Sequence, residues 1–191
     1  MLTRKEKADM HYLFDIDFEE GLGSCNKPRT IGDYNFQLGM PITTGDVPNP
    51  LVCPTDHVGP EDFADYLNNQ LPVVSRRFVQ ALRDAGVSNF EEYPADILNR
   101  DTGQRWTGFV AINIIGSLKC VHVEASSGSD IGGNCIIYHD ITLRKEVINN
   151  HLLFRVDEAC ATIVIHESVK RHLASVSPKL TGINFIPVKE A

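Results

Sequence analysis

Apolar and acidic residues alternate strictly near the start of the chain, between Leu13 and Glu19. Successive side chains of a β-strand point to opposite faces, so one set would face a core while the other faces outward. The inward set is Phe14, Ile16 and Phe18, and the outward set is Asp15, Asp17 and Glu19. The pattern therefore predicts a half-buried strand with an acidic outer stripe.

A second pattern, with apolar residues three and four positions apart, predicts a helix from Pro72 to Ala85. Ser75 can cap the start of this helix, and Gly86 can end it. The predicted inner face consists of Val74, Phe78, Ala81, Leu82 and Ala85. Two shorter helices are predicted, one from about Pro60 to Asn69 and one from Ser168 to Ser175. Acidic residues in the first turn of the former, Glu61 and Asp62, suit a helix N-terminus.

Strand-like segments dominate the chain after the long helix. They are Phe90–Leu98, Phe109–Ile115, Leu118–Val123, Cys135–Tyr138, Leu152–Val156, Thr162–Ile165 and Gly182–Pro187. Gly116-Ser117 predicts a hairpin between the second and third of them, and Pro187 predicts that the last one lies at a sheet edge. Strands outnumber helices without strict alternation, which predicts an α+β fold with a mainly antiparallel sheet and a few flanking helices.

Charge divides the chain into two parts. Residues 1–70 contain twelve Asp and Glu against five Lys and Arg, whereas residues 71–191 contain thirteen of each, so the whole net charge of −7 lies in the first part. Residues 21–60 are rich in Gly, Pro and Asn and show little periodicity. We therefore predict an irregular acidic N-terminal lobe over residues 1–70 and an α+β core domain over residues 71–191. An acidic surface repels nucleic acid and anionic membranes and attracts basic partners, although acidity also serves solubility.

The cysteines and the apolar segments bear on the compartment. Five cysteines are scattered without a C-x-x-C pair, which is typical of reduced thiols in a cytosol. A charged N-terminus without a following apolar run argues against a secretory signal, and no run approaches the length of a membrane-spanning helix. The expectation is a cytoplasmic protein.

Candidate catalytic groups are few. His139-Asp140 is a conceivable metal or acid–base pair, but adjacent strand residues face opposite ways and no third ligand is close in sequence. Cys120 and His122 would share a strand face, yet a buried structural cysteine is the commoner case. The glycine-rich loop around Gly128 lacks the lysine of a phosphate-binding loop. We therefore predict a protein that is not an enzyme and that has no cofactor and no metal site.

Three stretches together resemble immunity protein family eleven of bacterial polymorphic-toxin systems, the Myxococcus-type group. They are VSRRFVQALRDAGVSNFEEYPADI, GFVAINIIGSLKCVHVEAS and HLLFRVDEACATIVIHESVKRHLASVSPKLTGINFIPV, and the resemblance covers about residues 72–188. One departure is His122, which stands where the family pattern suggests an acidic residue. The resemblance implies a protein that protects its producer by binding a secreted toxin.

Combined with the charge distribution, the resemblance implies a partner toxin with a basic surface, as a nuclease would have, and neither nucleic acid nor membrane as a partner. The expected toxin-binding residues are acidic and lie in the first third of the chain. They are Asp15, Asp17, Glu19, Glu20, Asp56, Glu61, Asp62 and Asp65. Two alternatives remain open at this point: an adaptor protein of a toxin secretion system, and a metal-dependent hydrolase using His139 and Asp140.

Overall fold

The structure is a computed structural model that describes most of the chain after residue 70 and shorter parts before it. The described residues are 10–17, 23, 25–26, 36–42, 47–56, 63–67, 71–130, 136–159 and 162–191. Over these residues the chain forms several sheets and three helices, and most strand pairs are antiparallel. The predicted α+β class with a mainly antiparallel sheet is confirmed.

The largest sheet has five strands. In chain order they are β1 (His11–Ile16), β6 (Ser117–Leu118), β10 (Leu153–Val156), β11 (Ile163–His166) and β12 (Ile183–Pro187). Their order across the sheet is β12-β1-β11-β10-β6. The first strand of the chain is thus an inner strand, with Phe14 opposite both Ile163 and Phe185. The last of the five lies at an edge, as Pro187 predicts.

A second sheet has four strands. They are β2 (Leu51–Thr55), β3 (Val73–Ser75), β4 (Phe90–Asn99) and β5 (Arg105–Ile114), in the order β2-β4-β5-β3. The strand Leu51–Thr55 falls within the segment for which no regular element is predicted. It contains Pro54 and lies at the sheet edge, which is where a residue without an amide hydrogen is tolerated.

Smaller elements complete the described part of the fold. A two-stranded arm pairs β7 (Ser127–Asp130) with β8 (Ile136–Asp140), and a second pair joins β9 (Thr142–Leu143) to β13 (Lys189–Glu190). The helices are α1 (Arg76–Asp84), α2 (Lys145–Ile148) and α3 (Glu167–Ser175).

The long helix follows its sequence signals closely. The Ser75 hydroxyl accepts a hydrogen bond from the amide of Phe78 at 3.2 Å, and Gly86 just beyond the helix has φ +86°. Phe78 and Leu82 are buried on the inner face as predicted, whereas Val74 is buried in the strand that precedes the helix. The helix therefore begins at Arg76, four residues later than the apolar pattern predicts.

Three apolar clusters hold these layers together. One lies between the five-stranded sheet and the helices α1 and α3, and it contains Phe14, Phe78 and Leu173. A second packs on the other face of the four-stranded sheet, and a third covers the opposite face of the five-stranded sheet with Phe154 and Leu143. The five-stranded sheet is therefore buried on both faces, so only its ends and edges are left for exposed charges.

Three predicted elements are wrong. The strand predicted over Leu118–Val123 is a strand only at Ser117–Leu118, and Val123–Ala125 forms a short 3-10 helix. Gly116-Ser117 is not a hairpin turn, because Ser117–Leu118 pairs in parallel with β10 in the other sheet. The partner of β5 is instead β4, across the turn that follows Asn99. Residues 63–67 are not helical, since their backbone amides bond to distant carbonyl groups: Asp65 to Thr181 at 3.2 Å and Leu67 to Val73 at 2.9 Å.

The predicted N-terminal lobe is joined to the rest of the molecule. β1 pairs with β11 and β12, and β2 pairs with β4. Described strands from residues 1–70 thus belong to sheets that residues 71–191 complete. The boundary near residue 70 stays a prediction.

Candidate functional site

One end of the five-stranded sheet gathers carboxylates from two distant parts of the chain. Strands β1 and β10 run in the same direction because both are antiparallel to β11. Their C-terminal ends therefore meet at one end of the sheet, with two strand spacings, roughly 10 Å, between them. This acidic sheet end consists of Asp15, Asp17, Asp157 and Glu158. The first two are among the predicted site residues; the other two are not.

The two unpredicted carboxylates are fixed by nearby groups. Asp157 accepts a hydrogen bond from the Ser117 hydroxyl at 3.3 Å, and its other oxygen lies 3.8 Å from the Lys119 amine. Glu158 accepts hydrogen bonds from the backbone amides of Cys120 and Val121 at 3.3 and 3.4 Å. Only the fold could reveal this grouping, because the sequence alone gives no sign that the turn after β10 lies beside the end of β1.

A cavity of about 530 Å³ opens at this end of the sheet, between the turn after β10 and the two-stranded arm. Its lining residues are Lys119, Asp130, Ile136, Asp157 and Glu158. Carboxylates outnumber cations in this lining, so the cavity favours a positively charged occupant.

Asp65 differs from the other predicted site residues. Its side chain is 6% exposed and forms an ion pair with Arg77, whose Nε lies 2.7 Å from Asp65 Oδ1. The Ser75 hydroxyl and the amide of Thr181 also donate to this carboxylate, at 2.5 and 2.9 Å. Burial by itself raises the pKa of Asp65, but the hydrogen bonds from Arg77, Ser75 and Thr181 outweigh it, so the pKa lies below its ordinary value.

The expectation that Asp65 is an exposed charge is therefore wrong. Its carboxylate connects the segment before β3 to the start of α1 and to the turn before β12. The reason is tertiary, because Arg77 and Thr181 come from elements that the sequence does not place beside residue 65.

The remaining predicted site residues divide into two groups. Asp17 is exposed and Asp15 half-buried, while Asp56 is exposed but follows β2 in the four-stranded sheet, level with the turn after Asn99. Asp56 is thus not part of the acidic sheet end. Glu19, Glu20, Glu61 and Asp62 lie outside the described residues.

The candidate hydrolytic pair is split between two surface contacts. His139 Nε2 lies 3.1 Å from the Ser129 hydroxyl, and Asp140 pairs with Lys189 at 2.6 Å. Both residues are exposed. Within the described ranges, no group of three or more His, Cys, Asp or Glu residues is arranged to hold a metal ion.

Among the described cysteines, Cys53 and Cys120 are buried free thiols, as predicted, and Cys25 is also buried. Burial, followed by the negative charge of Glu158, raises the pKa of the Cys120 thiol to about 12, which disfavours the nucleophilic thiolate. Cys135 and Cys160 lie outside the described residues.

The chain matches the model of a known protein family. A family model described as the immunity protein family (Imm11) matches residues 26–190, which include every strand of the two sheets except β1. The chain belongs to this immunity protein family. The match confirms the resemblance seen in the three sequence stretches and extends it from residue 72 back to residue 26. No curated protein matches the chain.

The matched span divides the acidic sheet end. Asp157 and Glu158 lie within the part that matches the immunity protein family, whereas Asp15 and Asp17 precede it. For the described residues, none of the helices is long and apolar enough to cross a membrane.

Proposed function

We propose that this immunity protein binds a cognate secreted bacterial toxin and neutralises it by covering its active or substrate-binding surface. Membership of the immunity protein family over residues 26–190 is the observation that carries the proposal. The protein acts by stoichiometric binding rather than by catalysis, in the cytoplasm of the producing cell.

The charge of the chain supports a basic toxin surface. The net charge is −7, and the acidic sheet end concentrates carboxylates from both parts of the chain. A toxin that acts on nucleic acid presents a basic surface to its substrate, and an acidic inhibitor associates with such a surface rapidly through complementary fields. The same charge disfavours nucleic acid and anionic membrane as partners of the immunity protein.

The acidic residues of the first third remain the proposed toxin contacts, with one change of role. Asp15, Asp17 and Asp56 are accessible in the structure, and the proposal also keeps those that the structure does not describe, Glu19, Glu20, Glu61 and Asp62. Asp65 instead acts as a support, because its carboxylate is taken up by Arg77, Ser75 and Thr181.

Co-expression with the cognate toxin, to be sought first among the products of adjacent genes, tests the function. Wild-type chain should restore growth, and purified chain should abolish toxin activity at a one-to-one ratio. Killing that the wild-type chain fails to prevent would overturn the proposal. A complex in which the toxin stays fully active would identify an adaptor instead.

The same assay separates binding from catalysis. The variant His139→Ala should protect as well as the wild type, because the side chain is exposed and hydrogen-bonds to the Ser129 hydroxyl at the surface. Protection that continues far below stoichiometric amounts of chain and disappears in this variant would indicate a hydrolase.

A further inference from the structure

We propose that the toxin is held in a groove between residues 36–40 and the β7–β8 arm, with a lysine or arginine side chain of the toxin in the acidic cavity. This docking groove consists of Leu38, Met40, Ser117, Lys119, Asp130, Ile136, Asp157 and Glu158. It rests on the proposed function and adds a contact surface beside the proposed contacts Asp15 and Asp17, which lie at the same end of the sheet.

The first wall of the groove carries two apolar side chains in contact with water. Leu38 is 55% exposed and Met40 is 59% exposed, although the backbone around them is held in place. The amide of Gly116 donates to the carbonyl of Gly39 at 2.8 Å, and the buried side chain of Asn113 donates to the carbonyl of Met40 at 2.8 Å. Fixed and exposed apolar side chains of this kind are typical of an interaction surface.

Close contact explains why a glycine separates these two side chains. Gly39 has φ +67°, and a Cβ atom there would lie 2.9 Å from the Cβ of Ser117. The segment can therefore lie directly on the start of β6 only with glycine at this position. The contact brings Leu38 and Met40 beside the edge of the five-stranded sheet.

A hydrogen bond connects this wall to the cavity. The Ser117 hydroxyl bonds to Asp157, and Asp157 lines the cavity together with Asp130 and Ile136 of the arm. Ile136 is half-buried and supplies an apolar surface on the far side. The groove therefore has apolar residues at both ends and carboxylates between them.

Charge complementarity selects the occupant. The described lining contributes three carboxylates and one amine, and that amine is already within 3.8 Å of Asp157. A cationic side chain of the toxin that enters the cavity offsets the net negative charge of this lining, and its aliphatic part can lie along Ile136. Arginine and lysine are therefore the matching groups on the toxin, within a segment whose neighbouring side chains are apolar enough to cover Leu38 and Met40.

Two variant pairs test the groove, with the cognate toxin found by the co-expression assay as the probe. Asp130→Asn with Asp157→Asn should slow association at low salt and raise Kd roughly tenfold or more, because both charges face the cationic group. The matched control is Asp84→Asn with Asp101→Asn, two exposed aspartates elsewhere that change the net charge equally. Leu38→Ser with Met40→Ser should weaken binding through faster dissociation, whereas Ile186→Ser, 40% exposed at the opposite sheet edge, should not.

Hydrogen exchange of the wild-type complex gives a readout that needs no variant. Amides of residues 36–40 and 117–119 should exchange more slowly when the toxin is bound. If the wild type protects, but both groove variants bind as their controls do and these amides are unchanged, the groove is not the contact and the proposed function stands. If the wild type itself neither binds nor protects, the proposed function fails first.

Discussion

Carboxylates of the first third of the chain occur in two opposite settings. Asp65 is buried beside α1, where Ser75, Arg77 and Thr181 donate hydrogen bonds to its two carboxylate oxygens. Asp17 is exposed at the acidic sheet end, where Asp157 lies two strands away. The sequence around these residues gives similar signals, since both aspartates stand next to apolar residues in an acidic segment.

The contrast shows how one residue type serves stability in one place and recognition in the other. A buried ion pair is expensive to break, because the remaining partner keeps its charge in a poorly solvated position. An exposed carboxylate contributes little to stability but contributes to the field that a partner meets. Substitutions on the α1 side should therefore lower stability, and substitutions at the sheet end should lower the rate of toxin association.

The largest loss of stability is expected from substitutions in the first apolar cluster, which contains Phe78. Phe78→Ala should lower the free energy of unfolding by roughly 3–5 kcal/mol, because Phe78 is fully buried and stacks on Phe14 across the first apolar cluster. Urea denaturation would measure the loss. Leu82→Ala and Phe154→Ala should each cost roughly 2–5 kcal/mol for the same reason. Near-wild-type midpoints for all three would contradict the assigned inner faces.

Asp65→Asn should have the next largest effect. Removing the charge leaves Arg77 without its counterion and should cost roughly 3 kcal/mol, toward the low end for a buried pair because Arg77 is 38% exposed and screened by water. Denaturation together with toxin binding of the folded fraction would measure both consequences. An unchanged stability with weakened binding would make Asp65 a contact residue rather than a support.

The contribution of the Asp65–Arg77 pair to the free energy of unfolding should depend on pH, and this effect is smaller. The folded-state pKa of Asp65 lies below its ordinary value, so its stabilising contribution is complete above the unfolded pKa of about 4 and is lost as pH falls through the folded pKa. The difference in unfolding free energy between wild type and Asp65→Asn should therefore be constant from pH 7 to about 5 and shrink below about 4. A difference that grows on acidification would contradict the lowered pKa.

The smallest effect on stability belongs to the exposed end of β1. Asp15→Asn with Asp17→Asn should change the unfolding free energy by less than about 1 kcal/mol, because Asp17 is exposed and Asp15 is only half-buried. The pair should slow toxin association severalfold at low salt and much less at high salt, as expected of rim charges. Asp84→Asn with Asp101→Asn is the control of equal charge. If the association rate of the wild type does not depend on salt, electrostatic attraction does not drive toxin binding at this site.

The sequence by itself determined the elements with strong local signals. Ser75 and Gly86 marked the helix α1 because caps act on neighbouring backbone groups, and alternation located the inner side chain of Phe14. The family was also readable from the residues, since the three quoted stretches lie entirely within the matched span.

Tertiary structure alone decided which elements meet. Gly116-Ser117 has the composition of a hairpin turn, but β6 pairs with β10 in the other sheet. Backbone groups need a hydrogen-bond partner, and the packing of the two sheets brings the edge of β10 closest to β6. The burial of Asp65 depends likewise on Thr181, which is more than a hundred residues away in the chain. The grouping of Asp17 with Asp157 depends on the shared direction of β1 and β10. Local residue patterns reach only a few positions along the chain, so burial of a charge and assembly of a surface from separate segments follow only from the completed fold.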